Sequence, residues 1–295
     1  MRMDRSRWVI VLAGGDGTRL SRASKERYGY ARPKQFCDYD GSGTLLEHTM
    51  ERALRVVPEE RVVVVITRGW EREADESLRH YPRATQIVQP RNLGTGPGIL
   101  LPLLHILQRD PHAGVLLLPS DHHIEHRGIF SETASLALDL AEADGSFVTL
   151  LGAEAPNPEE GYGWILSRPV PGRPWSAVTD FVEKPPPEEV VRLWRQGALV
   201  NTFILAGRAI TFSALFAQYS AGWWRTLTRA AHRPAMLEAA YSVLPESNFS
   251  RAVLAHAIDE LRVLPLRDAG WSDIGTPDRL ERVVGPPNER VAWLA

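Results

Sequence analysis

Short apolar runs alternate with longer segments of helical periodicity in the first half of the chain, and this alternation constrains the fold more than any other feature. Residues 8–12, 62–66, 85–88 and 115–118 are predicted strands, and apolar residues recur at helical spacing between them. Strands separated by helices are typical of parallel βαβ units. The pattern therefore predicts an α/β fold whose ligands bind at the carboxyl ends of the strands.

The remaining elements follow from the same reasoning. Helices are predicted at 44–57, where Thr44 and Glu47 form a capping box, at 70–80 and 130–143, and at 98–108 with Pro102 in the first turn or at a kink. Further strands are predicted at 147–151, 163–167, 177–182, 199–205 and 261–265, and further helices at 208–219, 223–241 and from 277 onward. The polar segment 21–33 is predicted to be a mobile loop.

Composition narrows the class of protein. A chain of 295 residues with 44% hydrophobic and 24% charged residues predicts one packed domain. A formal net charge of −2 argues against nucleic acid as a partner. The single cysteine, Cys37, and the lack of a long apolar run predict a cytoplasmic protein without a membrane partner.

A glycine-rich loop follows the first predicted strand and carries the first chemical signal. It comprises Leu12, Ala13, Gly14, Gly15, Asp16, Gly17, Thr18 and Arg19. Glycines allow the backbone N–H groups to approach a phosphate chain, and Arg19 adds a cation that can grip phosphate oxygens. The loop matches neither the dinucleotide fingerprint nor the P-loop. Lys34, in Pro33-Lys34-Gln35-Phe36, supplies a second cation.

These motifs resemble the signature of the sugar nucleotidyltransferases, and the Lys-Gln-Phe form resembles mannose-1-phosphate guanylyltransferases in particular. Further matches come in the order of that family, over roughly residues 8 to 280: Pro119-Ser120-Asp121-His122, Gly161-Tyr162-Gly163, Glu183-Lys184-Pro185, Asn201 and Gly270-Trp271-Ser272-Asp273-Ile274-Gly275. The resemblance implies a Rossmann-like, three-layer αβα nucleotidyltransferase fold, similar to the GT-A fold, with a mixed, mainly parallel sheet. It also implies a single catalytic domain over residues 1–295, with a nucleotide-binding half at about 1–150 and a sugar-phosphate-binding half at about 151–295.

The resemblance also implies an activity: transfer of a nucleotidyl group from a nucleoside triphosphate, with GTP favoured, to a sugar 1-phosphate, with release of pyrophosphate. The implied catalytic residues are Arg19, Lys34, Asp121, Lys184 and Asp273. The implied nucleotide-binding residues are Leu12, Ala13, Gly14, Gly15, Gly17, Thr18, Arg19, Lys34, Pro90, Thr95, Gly96 and Asp121. The implied sugar-phosphate-binding residues are Gly163, Glu183, Lys184 and Asn201.

Asp121 and Asp273 are the expected ligands of a Mg²⁺ cofactor, because Mg²⁺ takes one or two carboxylates together with waters and substrate phosphates. Read singly, each aspartate also suits a helix cap or a turn. His122, His123 and His126 crowd the same segment as Asp121. A zinc site is the weaker interpretation, because no Cys/His partner set with recognised spacing lies elsewhere in the chain.

Three departures from the guanylyltransferase pattern leave the base and the sugar open. Leu93 and Gly94 replace an Arg-Asn pair, Val200 replaces a tryptophan beside Asn201, and Ser250 replaces an aspartate. A different nucleotide, an unusual hexose or a cyclitol phosphate is one alternative. A homologue without catalysis that binds a sugar nucleotide and regulates a partner is the other.

The resemblance is compatible with a homodimer, because members of the family often form dimers or larger oligomers. Helices that carry Trp223, Trp224 and Tyr241 are predicted to pack inward rather than to form a subunit contact. The chain ends soon after the last motif, and we expect a minimal catalytic unit without an appended isomerase or acyltransferase domain.

Overall fold

The computed structural model describes residues 6–17 and 20–284, and their strands form a mixed sheet with helices on both faces. The nine strands of this sheet are ordered β3-β2-β1-β4-β9-β6-β10-β8-β7, and β11 pairs with β5 in a separate ribbon. The strands are β1 (Arg7–Leu12), β2 (Val62–Thr67), β3 (Thr85–Gln89), β4 (Gly114–Pro119), β5 (His123–Ile124), β6 (Val148–Ala153), β7 (Gly163–Pro169), β8 (Ser176–Glu183), β9 (Leu199–Arg208), β10 (Leu261–Pro265) and β11 (Trp271–Ser272).

The α-helices connect these strands or extend the layers that cover them. They are α1 (Ser21–Tyr28), α2 (Leu45–Ala53), α3 (Glu71–Leu78), α4 (Thr95–Leu107), α5 (Arg127–Ala143), α6 (Pro187–Arg195), α7 (Ala209–Tyr219), α8 (Ala221–Ala230), α9 (Pro234–Val243), α10 (Phe249–Ala252) and α11 (Pro277–Val284). Within the described ranges, no helix is long and apolar enough to cross a membrane.

The first half of the sheet is parallel and creates the edge at which the motifs meet. β1 lies between β2 and β4, with Leu12 paired to Val65 on one side and to Pro119 on the other. The loops that follow these three strands therefore leave the sheet side by side, as expected for parallel strands. This part of the predicted sheet is confirmed.

The second half joins the same sheet largely through antiparallel pairs. β9 pairs antiparallel with both β4 and β6, whereas β10 runs parallel to β6. The predicted mixed sheet is confirmed; among the described residues four of its strand pairings are parallel, three of them in the first half, and five are antiparallel. A register shift between Leu151 and Gly152 breaks the regular pairing of β6 with β9 close to Asn201.

Side chains alternate between two cores, which establishes the three-layer arrangement. Trp8 and Ile10 of β1 join the core under α4, α7, α8 and α9, and Val9 and Val11 join the core under α2, α3 and α5. Full burial of each such side chain contributes roughly 1.5–3 kcal/mol relative to exposure. Both faces of β1 are thus buried in a hydrophobic core, as expected for a central strand covered by helices on both sides.

Several predicted elements have different limits in the structure. The segment predicted as a mobile loop contains α1, which ends at Gly29 in the left-handed conformation (φ 79°). The helix predicted at 223–241 is two helices, because Pro234 lacks the N–H to continue α8 and instead begins α9. Pro102 lies inside α4, which starts earlier than predicted. α6 was not predicted at all.

Two local predictions are confirmed. The Thr44 hydroxyl accepts from the Glu47 N–H at 3.2 Å, and Glu47 accepts in return from the Thr44 N–H at 2.6 Å. Such a cap contributes about 1 kcal/mol to helix stability. Trp223 and Tyr241 pack inward, with their rings in edge contact at 6.0 Å. Trp224 is partly buried against the same core.

Candidate active site

The glycine-rich loop leaves β1 and is held at several backbone atoms. The Ala13 N–H donates to the Val65 carbonyl at 2.8 Å. Buried Gln35 donates its side-chain amide to the carbonyls of Ala13 and Gly15 at 3.0 and 2.7 Å. The Thr67 hydroxyl donates to the Gly14 carbonyl at 2.8 Å. Because Gln35 and Thr67 donate to these backbone carbonyls, the loop keeps a fixed shape beside the sheet edge.

Gly14 and Gly17 are required by close contacts. A Cβ on Gly14 would lie 2.4 Å from Gln89 Nε2, and a Cβ on Gly17 would lie 2.6 Å from the backbone nitrogen of Lys34. Gly17 also has a φ of +60°, in the left-handed region that favours glycine. The loop therefore packs directly against the segment that carries Lys34. Thr18 and Arg19 lie outside the described residues.

A cleft of about 300 Å³ opens between this loop and the start of α4. Its walls combine the backbone of the glycine-rich loop with side chains from the carboxyl ends of β3 and β4. The lining residues are Leu12, Gly14, Gly15, Val65, Gln89, Asn92, Gly94, Thr95, Gly98, Pro119, Asp121, His122 and Phe203. A cavity of this volume is at the lower end of small-molecule sites.

The other expected nucleotide-binding residues lie around this cleft in supporting positions. Pro90 directly follows β3, and its neighbour Gln89 donates to the Thr67 hydroxyl at 2.7 Å. The Gly96 N–H donates to the Ser247 carbonyl at 2.8 Å. Thr95 lines the cleft, and its hydroxyl accepts from the Phe249 N–H at 2.8 Å. The start of α4 is thus tied to the segment before α10.

Lys34, Asp121 and Asp273 meet at the edge of the cleft. Lys34 Nζ lies 3.1 Å from Asp121 Oδ2 and donates to the Asp273 backbone carbonyl at 2.6 Å. The three residues come from a 3₁₀ turn after the glycine-rich loop, from the end of β4 and from the segment after β11. Lys34 is buried, so its ammonium depends on these two contacts and on the Ile274 carbonyl.

The hydrogen bonds that the Asp273 carboxylate accepts from the described residues all go to one oxygen, Oδ1. Asp273 Oδ1 accepts from Arg279 Nη1 at 2.9 Å, from the Gly275 N–H at 3.0 Å and from the Tyr162 hydroxyl at 3.2 Å. Burial acts to raise the pKa of Asp273, but His122, Arg279 and Lys34 outweigh it and hold the pKa below its ordinary value. The carboxylate is therefore ionised at neutral pH.

Arg279 is itself fixed by several groups. Its guanidinium pairs with Glu159 at 2.8 Å and lies over the Tyr162 ring, 4.2 Å from the ring centre. Arg279 and Tyr162 were given no role from the sequence. The only signal for Arg279 was its place on the helix that follows Asp273, and that spacing does not predict a buried ion pair.

His122 lies between Asp121 and Trp271. Its Nε2 lies 3.6 Å from Asp121 Oδ1, and its Nδ1 accepts from Trp271 Nε1 at 3.2 Å. Burial lowers the pKa of His122 to about 4 despite the opposing charge of Asp121. The imidazole is therefore neutral at pH 7, and the Trp271 contact requires that its proton be on Nε2.

The carboxylates of Asp121 and Asp273 are the donor type that Mg²⁺ prefers. In the described part of the chain, no group of three or more His, Cys, Asp or Glu side chains is arranged to hold a metal. Mg²⁺ needs only one or two carboxylates when substrate phosphates and waters complete its shell. Asp273 Oδ2 accepts no hydrogen bond from the described residues, and the Asp121 side chain retains 32% of its exposure.

Gly163, Glu183 and Asn201 lie together beyond this centre. Gly163 pairs with Glu183 between β7 and β8, and a Cβ on Gly163 would lie 2.7 Å from Glu183 Oε2 and 3.4 Å from the Asn201 Cβ. Asn201 is buried, and its side-chain oxygen accepts from the Phe203 N–H at 3.0 Å. The predicted residues of the sugar-facing side are thus neighbours in space.

Glu183 and Lys184 differ in their surroundings. Burial raises the pKa of Glu183, although Lys184, Arg251, Ser250 and Asn248 act against that rise. Lys184 is exposed and has a left-handed backbone (φ 52°). Ser250, where an acidic residue was expected from the family pattern, is buried next to Glu183. A second carboxylate there would repel Glu183, so serine lowers the negative charge on this side of the site.

Comparison with known proteins gives consistent matches over this whole region. The sequence profile of the nucleotidyl transferase family matches residues 8–284. A putative mannose-1-phosphate guanylyltransferase of Vibrio cholerae is 27% identical over 278 residues, which cover 90% of this chain and 58% of that protein. The xanthan biosynthesis protein XanB of Xanthomonas campestris is 30% identical over 277 residues, which cover 90% of this chain and 57% of XanB. The chain thus spans a little over half the length of these curated relatives.

A solved structure shares the fold. A Thermus thermophilus protein, named a mannose-1-phosphate geranyltransferase, superposes with a TM-score of 0.83 at 30% sequence identity. The superposition covers 96% of this chain and 80% of that protein. It therefore includes both halves of the sheet.

Proposed function

The chain belongs to the nucleotidyl transferase family, and from that premise we propose that it transfers a nucleotidyl group from a nucleoside triphosphate to a sugar 1-phosphate. The meeting of Lys34, Asp121 and Asp273 beside a glycine-lined cleft carries the proposal. Three distant motifs converge there, and phosphoryl chemistry needs just such positioned charges. GTP and mannose 1-phosphate are the favoured substrates, because similar proteins are named mannose-1-phosphate guanylyltransferases.

The cleft supports binding of the nucleotide. Backbone groups of Gly14 and Gly15 face it, and the lack of side chains there admits a phosphate chain. Gln89 and Asn92 also line this space and shape its wall, because the Gln89 amide donates to the Thr67 hydroxyl and the Asn92 amide donates to Asp16 Oδ2. Arg19 is proposed to hold the leaving pyrophosphate, and Lys34 the region of the α-phosphate.

Asp121 and Asp273 are proposed to hold Mg²⁺ with one oxygen each. When bound, the ion would neutralise charge on the reacting phosphates and align them. Arg279, Tyr162 and the Gly275 N–H fix Asp273 through Oδ1, which leaves Oδ2 for the ion. Lys34 contacts Asp121 Oδ2, and His122 Nε2 lies 3.6 Å from Asp121 Oδ1, which orients this carboxylate.

The sugar phosphate is proposed to enter from the side of Gly163. Glu183 would accept hydrogen bonds from sugar hydroxyls, Asn201 would contact the sugar, and Lys184 would neutralise the phosphate. Lys184 is exposed and free to turn toward an incoming dianion. A phosphate dianion is already a nucleophile, so its oxygen attacks the α-phosphorus and pyrophosphate leaves without a general base. The task of the protein is alignment and charge neutralisation.

One observation favours a different base or sugar as the alternative. Leu93 stands where guanylyltransferases have arginine, and its side chain is buried in the core. The family arginine therefore has no equivalent at that position. This difference supports a transferase that uses another nucleotide or a less common sugar or cyclitol phosphate.

The test is a matrix of GTP, ATP, CTP and UTP against mannose 1-phosphate, glucose 1-phosphate and inositol 1-phosphate with Mg²⁺, scored by release of pyrophosphate. We expect GTP with mannose 1-phosphate to give the highest kcat/KM. Activity only with another pair would establish the alternative substrate. If every pair is silent while GDP-mannose still binds by calorimetry, the protein is a regulatory homologue and the transferase proposal fails.

A matched pair of variants separates chemistry from folding. Asp273→Asn should lower kcat by about 100-fold or more, because a charge used in the transition state is removed. Asp139→Asn is the control. It removes a carboxylate on α5 that pairs with Arg7 and does not border the cleft, so this variant should keep nearly full activity.

A further inference from the structure

Arg52 on α2 is a buried cation without an anionic partner in the described residues. It is 4% exposed, and its Nη2 donates to the Thr49 hydroxyl at 2.5 Å and to the His122 carbonyl at 3.0 Å. The neighbouring carboxylate of Glu51 is bound instead by Arg127. Burial and the charge of Arg127 lower the pKa of Arg52 to about 9. The guanidinium is still charged at pH 7.

Other buried arginines in the described residues are compensated. Arg279 pairs with two carboxylates, Asp273 and Glu159. Arg262 has no carboxylate, but its guanidinium lies over the rings of Phe147 and Trp175 at 5.4 and 5.6 Å. An uncompensated buried charge is costly, so its retention indicates a partner that is not part of the chain.

Arg52 borders a cavity of about 210 Å³ that is distinct from the catalytic cleft. Among the described residues, His122 alone borders both spaces. Polar groups at this cavity include His48, His123 and Arg127, and its opposite wall is apolar. The apolar lining residues are Leu45, Ile124, Ile274, Leu280, Val283 and Val284.

Two carboxylates also border the cavity, and neither neutralises Arg52. Asp40 Oδ1 accepts from the N–H and the hydroxyl of Ser42 at 2.9 and 2.5 Å, which holds it at the rim. Glu125 is exposed and borders the neighbouring cavity as well. The Ser42 hydroxyl in turn contacts His48 Nε2 at 3.0 Å. The rim is polar, whereas the cationic group lies at the buried end.

We propose that this cavity is a binding site for a small organic anion, a phosphate or carboxylate attached to an apolar group. The free nitrogens of Arg52, Nε and Nη1, would bind the anionic head, and the apolar wall would contact the rest. A planar guanidinium is suited to either anion because its N–H groups match two oxygens at once. The site is independent of the cleft proposed for the nucleotide.

Isothermal titration calorimetry with two probes tests the site: phenyl phosphate and benzoate, with phenol as the uncharged control. At least one anion should bind and phenol should not. Arg52→Gln should weaken binding by about tenfold or more, since a charge-assisted hydrogen bond is lost. Lys184→Ala, on the proposed sugar-phosphate side, should leave the affinity unchanged, because Lys184 does not border this cavity.

Two further variants guard against a folding artefact. Arg52→Lys keeps the positive charge but loses the paired N–H donors of the guanidinium. Its affinity for the anion should lie between those of wild type and Arg52→Gln. Val283→Phe narrows the cavity from the opposite wall without touching Arg52, and it should also weaken binding. The proposal fails if neither anion binds, if Arg52→Lys and Val283→Phe bind as well as wild type, or if Lys184→Ala alone abolishes binding.

Discussion

Replacing Gly17 with alanine tests whether the glycine-rich loop and the Lys34 segment form one rigid unit. Gly17 has a φ of +60°, and a left-handed backbone costs alanine roughly 1–2 kcal/mol. The added Cβ would also lie 2.6 Å from the Lys34 backbone nitrogen and 2.9 Å from the Pro33 Cα. These are backbone atoms that cannot rotate away, and such overpacking typically costs about 1–3 kcal/mol. We expect a total penalty of about 2–4 kcal/mol after partial relaxation.

The penalty should appear in one of two measurements. If the loop stays in place, the free energy of unfolding falls, and Tm should drop by about 5–10 °C in a thermal melt. If the loop moves to relieve the clash, the active arrangement must be restored on binding, and kcat/KM for pyrophosphate release should fall by about 30-fold or more. Both readouts are therefore needed on the same preparation.

Gly15→Ala is the matched control for stability. Gly15 lies two residues earlier in the same loop, and a Cβ there would meet no protein atom within 4 Å. Its Tm should stay within about 1–2 °C of wild type, because an unstrained alanine changes stability little. A Gly17→Ala protein with wild-type Tm and wild-type kcat/KM would refute the reasoning.

Three further predictions concern other positions. Glu183→Gln should raise Tm at pH 8. Burial raises the folded-state pKa of Glu183. The contribution of the Glu183 carboxyl to stability is therefore greatest below the ordinary carboxyl pKa and declines as pH rises through the raised pKa. This gain should shrink in melts at lower pH, and a constant gain would contradict it. Cys37 is buried with its pKa raised to about 11, so iodoacetamide at pH 8 should modify it only in unfolded protein. Arg279→Met should lower the free energy of unfolding in urea by about 3 kcal/mol, because it removes the cation hydrogen-bonded to the buried Asp273 carboxylate, while Glu159 keeps Arg282; a loss below about 1 kcal/mol would show that the pair is dispensable.

The parallel half of the fold was predictable because its signals are local. Buried apolar runs mark β1, β2 and β4, and Asp121 comes two residues after the end of β4. Once those strands are parallel and adjacent, their carboxyl ends meet and the site follows. The position of Lys34 was predictable from its motif. Its buried contacts with Asp121 and the Asp273 carbonyl were not.

Features that depend on contacts between distant positions of the chain could not be predicted. Gln89 acts through its pairing with Thr67, a register between β2 and β3 that periodicity does not specify. α1 has few apolar residues, so the usual helical signal is weak there. Arg52 would ordinarily be expected at a surface position. It is buried because it reaches the His122 carbonyl, 70 residues away in the chain.

The most direct test of the account is diffraction from crystals grown with Mn²⁺ and GTP, using the anomalous signal to locate the ion. We predict one metal peak in the cleft, with a carboxylate oxygen of Asp121 and Oδ2 of Asp273 each at about the 2.1 Å typical of magnesium ligands. A peak that contacts only one of these aspartates, or one that lies elsewhere while GTP occupies the cleft, would contradict the shared-metal centre.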